Sequence, residues 1–171
     1  DNAFKFVEKN GVAAEAAYPY MSGTGIRGLC KPKEEANAIV TVTGFKDVPS
    51  GDEDALKTAV AQQPVSIAIE ADKSVFQLYK SGVLDSPMCG TKLDHGVLVV
   101  GYGVEDGVKY WRVKNSWGRH FGETGYFRVR RRSAPLQFER SRGVFWRLYE
   151  ENGEDPEPRC AKTRGLRSST S

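Results

Sequence analysis

Two alternating apolar stretches on either side of a short acidic turn constrain the fold of this chain more than any other feature. The first, HGVLVVGY, begins at His95, and the second, KYWRVKN, ends at Asn115. Between them lies VEDG, residues 104–107, a composition typical of a tight β-hairpin turn. The sequence therefore predicts two antiparallel strands, 95–102 and 109–115, joined at this turn.

The predicted hairpin brings its two ends together. A turn centred near residue 105 or 106 pairs positions whose numbers sum to about 210–212, so that His95 lies opposite or diagonal to Asn115. Opposed Cβ atoms are about 4.5–5.5 Å apart, and diagonal ones about 7–8 Å. We therefore expect the imidazole of His95 to lie within reach of the Asn115 carboxamide.

A histidine beside an asparagine indicates a site for proton transfer. A neutral amide can orient an imidazole that acts as a general base, and it suffices where the nucleophile is a thiolate paired with the imidazolium. Trp117 follows two residues after Asn115 and could shield the pair. The alternative for His95 is a strand histidine whose hydrogen bonds are satisfied locally. His120 has no comparable neighbours, and we interpret it as a surface residue.

None of the three cysteines is a good candidate for the nucleophile. Cys30 and Cys89 lie in turn-rich stretches without a following helix that would lower a thiol pKa, which favours structural roles. Cys160 lies in a polar C-terminal stretch. The three form no CxxC pair, so the sequence predicts no metal site. We expect the nucleophile to lie outside this chain.

The remaining segments predict a chain that mixes helices and strands. Periodicity and end signals predict helices at 1–10 (with Gly11 as a left-handed cap), 50–63 (capped by Ser50 or Asp52) and 74–82, and strands at 39–45, 65–70 and 143–149. After Arg132 the sequence becomes rich in Arg and Glu, and its last twenty or so residues predict disorder.

Composition argues against two classes of partner. The 25 Lys and Arg exceed the 22 Asp and Glu by a formal net charge of only +3, too small a surplus to indicate nucleic-acid binding. No apolar run approaches the length of a membrane span, so we predict no membrane partner. Nothing in the sequence indicates a cofactor.

The chain resembles the papain family of cysteine proteases over residues 1 to about 132, through QPVSIAIEA, FQLYKSGV, LDHGVLVVGYG, YWRVKNSWG and GETGYFRVRR in this order and spacing. LDHG followed by KNSWG is the most specific part. The resemblance implies an α+β, papain-like two-domain fold. Residues 1–46 would be the end of a helical left domain and 47–150 an antiparallel, β-barrel-like right domain. The composition of 151–171 predicts a disordered tail.

The resemblance also implies roles for individual residues. His95 would be the catalytic histidine, Asn115 the residue that orients it, and Trp117 the ring that covers their hydrogen bond. The implied reaction is acyl transfer, in which a thiolate attacks a peptide carbonyl and the imidazolium protonates the leaving amine.

A substrate-binding group is implied as well. Ala68, Leu93 and Gly96 would line the main specificity pocket, whose small and aliphatic walls favour an apolar or aromatic substrate side chain. Asp94 is assigned to the same group. Because Asp94 neighbours His95 on a strand, it should point to the opposite face, and a solvated carboxylate is its alternative role.

In the family, the nucleophilic cysteine and the glutamine of the oxyanion hole would precede Asp1, as would the disulfide partner of Cys30. The usual partner of Cys89 is replaced by residues of the stretch GVFW at 143–146. Phe121 stands where the family more often has tryptophan.

Two hypotheses follow. The chain is part of a cysteine-type endopeptidase that acts on peptides or proteins and is inactive without its N-terminal segment, or it is an inactive papain-like protein, a pseudoprotease or binding remnant. The family implies a lysosomal, vacuolar or secreted location.

Overall fold

The computed structural model describes residues 2–86, 88–89 and 92–131, and the backbone of 143–149. Contacts divide the chain into two compact units, one that includes the residues up to Gly44 and one from Phe45 to Trp146. The domain limits expected from the resemblance, 1–46 and 47–150, stay a prediction. The tail expected at 151–171 lies outside the described residues.

The first unit begins with α1 (Asn2–Asn10), as the sequence predicted. The helix ends at Gly11, which has a φ of 72° and donates its N–H to Val7 O at 2.8 Å. Only glycine suits this position, because a Cβ here would lie 2.8 Å from that of Ala38. No residue of α1 is buried, and a cavity of about 480 Å³ lies beside its Phe6 and Val7.

A short antiparallel pair follows α1. Strand β1 (Val12–Ala13) pairs with the start of β2 (Ala38–Val48), with Val12 opposite Val40. The connection between them contains a single 3₁₀ turn, Ser22–Thr24, and the four-residue helix α2 (Pro32–Glu35).

The second unit opens with a capped helix. Helix α3 (Glu53–Val60) begins after Asp52, whose carboxylate accepts the Ala55 N–H at 2.8 Å. Of the two predicted caps the structure uses Asp52, so the helix is shorter than the predicted 50–63. Ala59 and Val60 are buried, as the periodicity predicted. The alternating strand β3 (Val65–Ile69) follows, then α4 (Ser74–Gln77) and β4 (Val83–Leu84).

The hairpin predicted from the sequence consists of β5 (His95–Glu105) and β6 (Val108–Lys114). Both turn residues have left-handed backbones, Asp106 with a φ of 50° and Gly107 with a φ of 77°, as a two-residue type I′ turn requires. The turn therefore lies slightly later than predicted. A bulge between Val99 and Gly101 compensates for part of this shift.

The sheet of this unit also contains β7 (Tyr126–Arg130) and the first residues of β8 (Gly143–Tyr149), which matches the strand predicted at 143–149. Neighbouring strands follow the order β8-β3-β5-β6-β7-β4. All pairs are antiparallel except β4 with β7, which is parallel. The architecture is α+β, as expected, but the described strands of this unit do not close into a barrel.

The core of the second unit lies on one face of this sheet. Trp111 is 1% exposed and Phe127 2%, while Val65, Val99 and Val113 are fully buried. Burying each such side chain contributes about 1.5–3 kcal/mol, and the core therefore fixes the strands that carry the candidate site. No helix among the described residues is long and apolar enough to cross a membrane.

Candidate active site

The hairpin places His95 and Asn115 in direct contact. Leu98 lies opposite Lys114 in the register, so Asn115, one residue past β6, is diagonal to His95. Nε2 of His95 and Oδ1 of Asn115 are 2.8 Å apart. The proximity predicted from the turn is thus present. Asn115 is 7% exposed, and its backbone N–H donates to Gly125 O at 2.9 Å, which anchors the residue beyond the end of the strand.

A second hydrogen bond fixes which atom of the Asn115 amide faces the imidazole. The backbone N–H of Ser116 donates to Oδ1 of Asn115 at 2.8 Å, so this atom must be the acceptor oxygen. Because an acceptor faces Nε2, the neutral imidazole of His95 carries its proton there. Its other nitrogen, Nδ1, then has a free lone pair and can take a proton from a thiol.

Trp117 stacks beside this pair. Its ring centroid lies 5.1 Å from that of His95, with 32° between the planes, although the residue is 42% exposed. Phe76 of α4 and Phe121 hold the indole from the core side, at 5.4 and 5.1 Å and close to edge-to-face. The indole thus lies against the imidazole and is held by two buried rings.

The sequence pattern did not indicate Phe76 as part of this arrangement. It lies in the segment predicted as a helix at 74–82, where it was one of several apolar residues. That segment is helical only over Ser74–Gln77. Phe76 is 4% exposed, and its contact with Trp117 arises from tertiary packing, which helical periodicity does not show.

Two of the residues assigned to the specificity pocket, Ala68 and Gly96, lie on the other face of the sheet. Ala68 and Gly96 are direct partners between β3 and β5, whereas His95 pairs with Ile69 on the core-facing side. A Cβ at Gly96 would meet no atom within 4 Å, so this face is open at that point. Leu93 lies just before β5 and is half-buried.

Asp94 is exposed, as expected, but its carboxylate is engaged. Oδ1 of Asp94 accepts the backbone N–H of Ala71 at 2.7 Å, and its own N–H donates to Ile69 O at 3.0 Å. The side chain therefore holds the chain after β3 rather than the imidazole. Its assignment to the substrate-binding group stays a prediction.

Glu70 is a second residue that the sequence pattern did not indicate. It follows β3 in phase with the half-exposed Ser66 and Ala68, so alternation places it on the open face, yet its side chain is only 2% exposed. Lys73 of the same segment contacts it, and the i,i+3 spacing of the two charges was the available signal. Among the described residues no group of three or more His, Cys, Asp or Glu side chains could hold a metal ion.

The α+β fold and the contact between His95 and Asn115 are those of one family of proteins. The chain belongs to the papain family of cysteine proteases, which matches residues 1–142. The resemblance seen in the sequence, and the α+β papain-like fold that it implied, are therefore confirmed.

The similarity to individual plant proteins supports this membership. The chain is 45% identical to cysteine proteinase RD21A of Arabidopsis thaliana over 157 residues, which are 91% of this chain and 33% of that protein. It is 52% identical to the oryzain beta chain of Oryza sativa subsp. japonica over 132 residues, 77% of this chain and 28% of that protein. The chain thus spans about a third of the length of the curated relatives it matches.

Solved structures of cysteine proteases support the same fold. Bromelain from Ananas comosus, in complex with the E64 inhibitor, superposes with a TM-score of 0.73 at 40% identity, covering 84% of this chain and 66% of that one. The proform of the Amb a 11 cysteine protease, a ragweed pollen allergen, gives a TM-score of 0.76 at 38% identity, covering 87% and 46%.

Proposed function

We propose that the whole protein hydrolyses peptide bonds in peptides or proteins as a cysteine-type endopeptidase. This chain contributes the histidine and the asparagine, and residues of the same protein outside these 171 contribute the nucleophilic thiol. The observation that carries the proposal is the 2.8 Å contact between Nε2 of His95 and Oδ1 of Asn115, which leaves Nδ1 as the proton acceptor.

In the proposed reaction, Nδ1 of His95 takes the proton of the thiol, and the resulting thiolate attacks the carbonyl carbon of the scissile peptide bond. The imidazolium then gives this proton to the leaving amine, and an acyl-enzyme thioester remains. Water, deprotonated by the same imidazole, hydrolyses the thioester and releases the acid. Asn115 keeps the ring in one orientation throughout, and Trp117 shields the hydrogen bond from water.

The open face near Gly96 supports a substrate-binding role for Ala68, Leu93 and Gly96. A pocket with small and aliphatic walls favours an apolar or aromatic substrate side chain. Bromelain, a relative, binds the inhibitor E64. A lysosomal, vacuolar or secreted location remains part of the proposal, as does a disulfide bond at Cys30. Cys160 lies outside the described residues.

Replacing each histidine in turn tests the proposal, because the chain has two. In the full-length protein, His95→Ala should lower kcat for a fluorogenic peptide by roughly 10²–10⁴-fold, the usual contribution of a general acid–base. The matched variant His120→Ala, at an exposed position, should keep the wild-type rate.

The assay is run with a reducing agent, and again after the thiols have been blocked with iodoacetamide. Hydrolysis that survives the blocking, or equal rates for wild type and His95→Ala, would contradict the proposed mechanism. A full-length protein that hydrolyses no peptide would instead favour the second hypothesis, an inactive papain-like protein that only binds.

A further inference from the structure

Glu70 is a buried carboxylate that the proposed reaction does not use. Its side chain is 2% exposed. Removing a carboxylate from water is costly unless ionic and hydrogen-bonding partners compensate for it. The contacts that Glu70 makes therefore indicate what it holds in place.

The two oxygens of the Glu70 carboxylate contact different partners. Oε1 of Glu70 is 2.8 Å from Nζ of Lys73, the residue that precedes α4. Oε2 accepts the backbone N–H of Lys92. The hydrogen bond from Lys73 is the main reason that the pKa of Glu70 lies below its ordinary value, so the acceptor stays ionised at neutral pH.

The contact with Lys92 belongs to a group of three. The N–H of Asp94 donates to Ile69 O at 3.0 Å, and the carboxylate of Asp94 accepts the N–H of Ala71 at 2.7 Å. Together the three bonds tie the end of β3 to the Lys92–Asp94 segment. This segment contains Leu93 and leads directly into His95.

Of these three bonds, only the one that the Glu70 carboxylate accepts holds the segment at Lys92, ahead of Leu93. The two bonds of Asp94 hold it after Leu93. The backbone on both sides of Leu93 is thus held by residues at and just after the end of β3, which limits the directions that its side chain can take.

We propose that Glu70 is a positioning residue that holds Leu93 in the specificity pocket and thereby determines selectivity for the substrate side chain. This inference rests on the proposed function. Loss of Glu70 should act first on KM and on selectivity, since Asp94 and the Asn115 hydrogen bond still hold His95.

The test uses full-length protein and a pair of peptides that differ only in the side chain expected in the pocket, leucine or alanine. Glu70→Ala should raise KM for the leucine peptide about tenfold, the effect of losing a hydrogen bond to a charged group. It should change kcat much less and reduce the preference for leucine over alanine. Glu70→Gln retains an oxygen that can accept the Lys92 N–H, and it should fall between wild type and Glu70→Ala.

Asp72→Asn is the matched control. Asp72 contacts the same lysine, at 3.3 Å, but its side chain is 58% exposed. This variant should keep the wild-type KM and selectivity. In parallel, hydrogen exchange at the Lys92 amide should be faster in Glu70→Ala than in Asp72→Asn.

Wild-type KM and selectivity in Glu70→Ala would overturn the inference, and so would a fall in kcat alone that follows the fraction of folded protein. If Glu70→Ala does not fold, a wild-type KM in Glu70→Gln together with unchanged exchange at Lys92 would overturn it. A wild-type protein that hydrolyses neither peptide would refute the proposed function, while the exchange comparison would still test whether Glu70 holds the segment.

Discussion

Asn115 holds its side-chain oxygen between two donors, the backbone N–H of Ser116 and Nε2 of His95, both at 2.8 Å. The sequence predicted the second contact, because the length of a hairpin determines which residues meet at its open end. It did not predict the first, which defines the tautomer. Nor did it predict that Nδ2 of Asn115 would be buried with no hydrogen-bond partner among the described residues.

Glu70 shows a different limit of what the sequence predicts for a single residue. Alternation along β3 placed it with half-exposed residues, and alternation records only which face a residue occupies. Whether a neighbouring loop covers that face depends on contacts between residues far apart in the sequence, here 70 and 92. The burial of Glu70 could not be inferred from local pattern.

Gly122 provides a stability prediction for a single residue. It has a φ of 49°, and a Cβ there would lie 2.5 Å from Tyr126 O and 2.8 Å from the ring of Tyr79. Gly122→Ala should therefore destabilise the protein by about 1–3 kcal/mol, from backbone strain and collision with the backbone. Urea unfolding monitored by tryptophan fluorescence measures the change.

Gly101→Ala is the comparison for that experiment. A Cβ at Gly101 would meet nothing within 4 Å, and its φ lies outside the left-handed region. The variant should unfold within about 0.5 kcal/mol of wild type, as surface substitutions usually do. Equal stabilities for the two variants would show that the close approach at Gly122 costs nothing.

Among the elements, β7 is connected to the end of β5 and, through Glu123, to the residue before β4 by the guanidinium of Arg128. Its Nη1 lies 2.8 Å from a carboxylate oxygen of Glu105 at the end of β5, and its Nη2 lies 2.9 Å from one of Glu123. Glu123 also accepts the N–H of Gly82 at 2.9 Å, just before β4. These carboxylates raise the pKa of Arg128, which stays fully charged.

Partial burial raises the pKa of Glu123, but the hydrogen bonds from Arg128 and Gly82 outweigh it and leave the pKa below the ordinary 4.5. A carboxylate with a lowered folded-state pKa stabilises the fold above its unfolded pKa and loses that effect as the pH falls through its folded pKa. Glu123→Gln should therefore cost about 1 kcal/mol at pH 7, a value reduced for solvent screening. The difference in unfolding free energy between Glu123→Gln and wild type should close as the pH falls below about 4.5.

Urea unfolding at pH 7 and at pH 3 measures that gap. Glu105→Gln removes a more exposed partner of the same arginine, with a side chain 49% exposed, and should cost less at pH 7. A gap for Glu123→Gln that is as large at pH 3 as at pH 7 would show that the charge of Glu123 does not stabilise the fold.

At the element scale the sequence predicted the helices and strands better than their ends. The alternation of β3, β5 and β6 was clear because one face of each is buried. The turn at Asp106 and Gly107 was displaced because the bulge in β5, between Val99 and Gly101, has no distinct sequence signal. The helix predicted over 74–82 is helical only at its start, Ser74–Gln77, and the buried Tyr79 that follows donates its hydroxyl to Gly82 O at 2.7 Å.

For the whole molecule, family and fold followed from motifs whose order and spacing are specific, chiefly LDHG and KNSWG. The complete architecture could not follow, because the chain spans about a third of its relatives. The structure places His95 and Asn115, the proposed proton acceptor and the residue proposed to orient it, in direct contact. The remaining claim is that the thiol comes from elsewhere in the same protein.

Limited alkylation of the native protein tests that claim most directly. A substoichiometric amount of iodoacetamide is added to wild type and to His95→Ala, and the modified peptide is identified by mass spectrometry. We predict one fast-reacting cysteine that is none of Cys30, Cys89 and Cys160, because a thiolate paired with an imidazolium reacts at neutral pH. Its labelling should slow markedly in His95→Ala. Labelling confined to those three cysteines, or an equal rate in both proteins, would contradict the account.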